Sequence, residues 1–145
     1  TWKYLVADGR AQPHVASKGE LDELRELIKR NLKDAALAGL SDDNKLGLAY
    51  EAALISVKMA VACAGYRIKG QGHHKTMFEA LPLAMGAAER KTADLFEGFR
   101  RERNVVSYDA AGRVSATDAA AALTEARALF RRVEAWIAAH HPRYL

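Results

Sequence analysis

Apolar residues along the chain recur at three- and four-residue steps, in segments broken by short polar stretches around Gly, Pro, Ser and Asp. That is the pattern of helices joined by turns. Leu21, Leu24, Leu27, Ile28, Leu32 and Ala35 follow "SKGE" (17–20), whose Ser17 and Glu20 stand at capping-box spacing. An amphipathic helix is therefore predicted from there to about residue 38, stopped by Gly39. "LSDDNK" opens the next helix, with Ser41 as N-cap and two aspartates placed for the helix dipole. From Lys45 to Arg67 this segment is apolar or small on nearly every side, so it belongs at the centre of a bundle. Its few charges include Glu51 and Lys58, seven residues apart and so on one face.

"GYRIKGQGHHK" (65–75) reads as a glycine-punctuated turn, with Tyr66 and Arg67 closing the long helix. A third helix, "TMFEALPLAMG", should kink or end at Pro82. A fourth runs from about Ala87 to Val106, and "DAAGRVSATD" breaks the chain again. The last begins near Ser115 or Thr117 and reaches about His140, with Leu123, Leu129, Val133 and Ile137 in its core stripe. Residues 1–16 show no helical period and read as an extended arm whose Trp2, Tyr4 and Leu5 dock on a single domain, 17–145. No strand or repeat is evident. The expected fold class is all-α: an antiparallel bundle of four to five helices.

Composition agrees with an ordered globular domain: 145 residues, half of them hydrophobic and 28% charged. The formal charge of +4 permits a nucleic-acid partner without demanding one. Cys63 is the only cysteine, which excludes an intrachain disulfide and a Cys-based zinc site; within "MAVACAG" it reads as a buried structural thiol. No metal or other cofactor is expected, since no histidines stand at a four-residue helical spacing. No signal peptide is visible, and the apolar run 52–65 is too short for a membrane span and carries Lys58, so a cytoplasmic location away from membranes is expected.

The candidate chemistry lies in "EGFRRERNVVSYD" (97–109). Leu95, Phe96, Phe99 and Val106 form one apolar stripe, and Arg103 falls inside it. A guanidinium never loses its charge, so at such a seam it needs an anionic or hydrogen-bonding partner. One solution is internal: Arg103 on Glu51 or Glu79 of a neighbouring helix, with Arg101 on Glu97 at the four-residue spacing. The other is a phosphate, gripped by Arg100, Arg101 and Arg103 beside Asn104 and Tyr108.

A helical bundle with "RN" near the end of its penultimate long helix resembles the HEPN family (higher eukaryotes and prokaryotes nucleotide-binding). That family's signature is Arg, usually followed by Asn, Asp or His, then His four to six residues on. "AYEAALISVKMAVACAGYR…GHH" is similar to its second helix and the following turn, and the likeness spans roughly residues 20–140. The resemblance implies a metal-independent ribonuclease, often a toxin, whose Arg and His from two protomers meet at a dimer interface, or a non-catalytic relative that binds RNA or nucleotides. Arg103 and Asn104 match the signature; the histidine position holds Tyr108 or, counted from Arg101, Val106. Cleavage through the 2′-hydroxyl calls for a group titrating near neutrality, which histidine is and an unactivated tyrosine is not.

The expected function is thus a homodimeric HEPN-like RNA- or nucleotide-binding protein with a degenerate, weak or inactive ribonuclease site at Arg100, Arg101, Arg103, Asn104 and Tyr108. One alternative is an active toxin-type endoribonuclease in which His73 of "GQGHHK" or an activated Tyr108 replaces the missing base. The other is a non-catalytic module that pairs with an antitoxin or a nucleotidyltransferase. Of the adjacent His73 and His74, at most one should face a given site, because neighbouring helical residues point about 100° apart. His140 and His141 suit a role at a helix end, and Arg127 and Arg131 a solvated face.

Overall fold

The computed structural model describes residues 1–70, 73–108 and 114–145, with the backbone alone for 105–108. Its elements are α1 (Trp2–Ala7), β1 (Ala11–Pro13), α2 (Lys18–Ala35), α3 (Asp42–Cys63), β2 (Tyr66–Ile68), α4 (His73–Met85), α5 (Arg90–Tyr108) and α6 (Ala116–His140). Two 3₁₀ turns, Ala87–Glu89 and Pro142–Tyr144, complete them. The all-α bundle is as expected, though with six helices among the described residues, the first of them inside the arm.

α3 is the central element and packs against α2, α4, α5 and α6. Leu46, Tyr50, Val57 and Met59 along it are fully buried, as its apolar circumference predicted. It is long and apolar enough to cross a membrane by composition, yet 72% of its most apolar window is buried inside the bundle, the mark of a core helix. Leu129, Val133 and Ile137 of α6 and Leu21 and Ile28 of α2 close the core from either side. The N-caps fall where the hydroxyls stand: Ser17, Ser41 and Ser115 accept from the backbone N–H of Glu20, Asn44 and Asp118.

Several local expectations are corrected. The arm opens with a helical turn, capped by the Thr1 hydroxyl on Tyr4 N–H, which buries Leu5 and stacks Trp2 on Tyr66 at 4.3 Å. Tyr4 stays 60% exposed. Next, Ala11–Pro13 of the arm pairs antiparallel with Tyr66–Ile68, register Gln12 opposite Arg67, so Tyr66 and Arg67 lie in a strand where a helix end was expected. Three-residue strands are too short to show a period-two pattern, and the ladder arises because the arm's backbone needs partners. Gly65, at φ +98°, makes the turn from α3 into β2 that a side chain would resist. Finally, α4 starts at His73, at the histidine pair, and does not end at Pro82 but continues to Met85, and Leu95 is 38% exposed, leaving Phe96 and Phe99 as the buried stripe of α5.

Candidate functional site

The end of α5 meets the middle of α3 and the start of α4, and the candidate residues gather around that junction. Arg103 finds its anion within the chain. Its Nη2 lies 3.0 Å from Glu51 Oε1, and its guanidinium carbon stands 5.2 Å from the centroid of the Tyr50 ring. Glu79, the other acid considered, instead accepts from Arg10 at 3.4 Å. The Arg103 and Glu51 side chains remain 33% and 34% exposed, so the pair is paired but open to solvent. Such a half-solvated ion pair holds its partners together by only about 0.2–1 kcal/mol, little enough for an incoming anion to compete.

One turn earlier, Arg100 grips Glu97 through Nε and Nη2, at 2.8 and 2.7 Å. That hydrogen bond, with the charges of Arg100, Arg101 and Lys75, holds the Glu97 carboxyl below its ordinary range against the opposing effect of burial. The expected Arg101–Glu97 contact exists at a longer 3.5 Å, and Arg101 projects outward with 73% of its side chain exposed. Arg100 and Asn104 share with His73, His74 and Lys75 a cleft of about 250 Å³. Arg103 lines the neighbouring cavity of about 320 Å³, with Glu51 and the first turns of α3 at Asp43, Asn44 and Gly47. The predicted residues are thus divided between adjoining clefts on one end of the bundle.

Both imidazoles line the smaller cleft, where only one was expected to face a site. They occupy the first turn of α4 at the rim, with their rings edge-on at 4.3 Å, and a cleft mouth is wide enough for two neighbouring side chains. Burial, the adjacent His73 and the charges of Arg103 and Arg100 push the His74 pKa below 6.5, with Glu51 opposing. His74 is therefore neutral at pH 7, the form that accepts a proton.

Beneath these groups lies Tyr50, fully buried, its ring 5.6 Å from Phe78 and 6.1 Å from His74. Its hydroxyl has no hydrogen-bond partner among the described residues, and burial raises its pKa above the ordinary tyrosine value. Pattern reading did not single out Tyr50; the signal available was a phenol inside an otherwise apolar helix, next to the only acid on that stretch. Lys75 and His74 were visible as part of "GHHK", but only the fold brings them to Arg100. The side chains of Val106 and Tyr108 lie outside the described residues.

The remaining candidates are structural. Burial pushes the Cys63 thiol up to about 11, which makes it an unreactive core residue. His140 and His141 pack around Trp136 at 6.0 and 4.8 Å. Arg132 binds Glu89 at 2.8 Å and the Thr92 hydroxyl at 2.9 Å, while Arg127 and Arg131 are exposed.

Fold and site together define an all-α bundle with a cationic, imidazole-bearing end. No protein-family model, curated protein or solved structure matches the chain.

Proposed function

We propose that this bundle binds RNA or a nucleotide through its phosphates, at the junction of α3, α4 and α5, and that it is a HEPN-like protein whose ribonuclease chemistry is degenerate. The observation that carries this reading is the convergence of Arg100, Asn104, His73, His74 and Lys75, from two helices distant in sequence, on one cleft beside Arg103. Four cations, Lys75, Arg100, Arg101 and Arg103, stand there against Glu97, Glu51 and Asp43, so the junction keeps a small surplus of positive charge. Asn104 and the imidazole rings add further hydrogen-bonding groups, and together these side chains suit a phosphodiester with its flanking sugar hydroxyls. Degeneracy follows from the tyrosine at the position of the family histidine. On this reading the protein acts in the cytoplasm as a homodimer, two copies of the cationic end together gripping one RNA.

A second reading is an active endoribonuclease, favoured by the neutral His74. That imidazole would take the 2′-hydroxyl proton as the 2′-oxygen attacks phosphorus and the P–O5′ bond breaks; the departing 5′-oxygen would take a proton from water and the imidazolium would return its own to solvent, leaving a 2′,3′-cyclic phosphate and a 5′-hydroxyl. Single-stranded RNA incubated with the protein in EDTA separates the two. Binding without cleavage, weakened in Arg100→Ala and Arg103→Ala, is the expected result. Cleavage lost in His74→Ala and Arg103→Ala would favour the second reading. Neither binding nor cleavage would overturn both and leave a protein-interaction module facing an antitoxin or a nucleotidyltransferase.

A further inference from the structure

A cavity of about 450 Å³ lies on the flank of α3 between the β1–β2 ladder and the start of α4. Its volume falls in the roughly 300–1,000 Å³ range of small-molecule sites. Leu54, Ile55, Val61 and Met77 give it an apolar wall, and Tyr66 adds an aromatic one held in place by the Trp2 ring stacked on it at 4.3 Å and 6°. Water gains nothing from such a wall, so a ligand that covers it is favoured by the area it removes from solvent.

The charges around the rim decide what kind of ligand. Two carboxylates line the cavity, and both are engaged: Glu51 with Arg103 at 3.0 Å, Glu20 with the His14 ring at 2.9 Å. Two cations line it as well, Lys58 and Arg67, and neither has a carboxylate partner among the described residues. Lys58 stands three and four residues beyond Ile55 and Leu54, on the same face of α3, so it lines the cavity at the edge of the apolar wall. Arg67 faces the cavity from β2. An apolar surface beneath two unneutralised cations complements one class of molecule.

We propose that this cavity binds a small organic anion with an apolar or aromatic body. The body covers Leu54, Ile55, Met77 and the Tyr66 ring, and the anionic head meets Lys58 and Arg67. The site is separate from the phosphate cleft proposed above, although His73 and His74 border both, and it requires no RNA.

The test is calorimetric titration of the full chain with 1-naphthoate, 1-naphthyl phosphate and the neutral 1-naphthalenemethanol. At least one anion should bind tenfold or more tightly than the neutral compound; the tighter of the two anions tells a carboxylate head from a phosphate head. The Lys58→Gln/Arg67→Gln double variant, altered only at exposed positions, should lose at least tenfold in anion affinity with its helical circular dichroism unchanged. Ile55→Trp should block binding by filling the cavity. Arg100→Ala should bind as the parent does, which separates this site from the RNA site. Equal affinity for the neutral compound, an unaffected double variant, or loss of binding in Arg100→Ala would each overturn the proposal.

Discussion

Arg25 and Arg103 are both arginines set into helix–helix seams, and both meet a carboxylate from another helix, yet they do different work. Arg25 on α2 keeps only 9% of its side chain exposed, with Asp22 at 2.7 Å on its own helix and Glu134 of α6 at 2.9 Å. Two acids clamp one guanidinium, and the bond joins α2 to α6 beside Cys63. Arg103 has Glu51 at 3.0 Å, the Tyr50 ring under it, and a third of its surface in solvent at the mouth of a cavity. The lesson is that pairing alone does not make a cation structural. What separates the two is how much of the pair water, or a guest, can reach.

Mutation can break that contrast. Arg25→Ala should cost about 2 kcal/mol, from lost packing of the stem and a lost charged hydrogen bond, lowering Tm by roughly 6 °C with RNA affinity unchanged. Arg103→Ala should cost under about 1 kcal/mol, since its ion pair is half solvated. Thermal unfolding of the two variants side by side checks both; equal losses would erase the distinction.

A smaller effect comes from His74. Its folded pKa lies below the ordinary 6.5, chiefly through burial, with His73, Arg103 and Arg100 adding to it. As pH falls past 6.5 the unfolded chain takes up this proton more readily than the folded one, so stability declines with acidification and nothing is lost between pH 7 and 8. His74→Gln should flatten that acid limb in denaturant titrations at pH 5 and 7.

Helix positions were legible because their signals are local. The serine caps and the apolar circumference of α3 depend on residues within a turn of one another. The β1–β2 ladder was not, because backbone pairing between Gln12 and Arg67 leaves no mark on three-residue strands. The arm's helix was hidden for a related reason: with Leu5 as its one buried residue, α1 has no period to detect. In the site, the demand of Arg103 for an anion could be read from the wheel with Glu51 and Glu79 as candidate acids, whereas the choice of Glu51 and the approach of His73, His74 and Lys75 to Arg100 are facts of tertiary packing. Tyr50 escaped because an aromatic at a core position looks like any other until its hydroxyl is found buried without a partner.

The most direct test is fluorescence anisotropy of a labelled single-stranded RNA against the parent chain, Arg103→Ala and Arg25→Ala, at 50 and 200 mM salt. If the open end of the bundle holds phosphate, the parent should bind, weaken steeply as salt rises, and lose about tenfold or more in Arg103→Ala while Arg25→Ala matches it. Identical binding by Arg103→Ala and the parent, or no binding at the lower salt, would contradict the account.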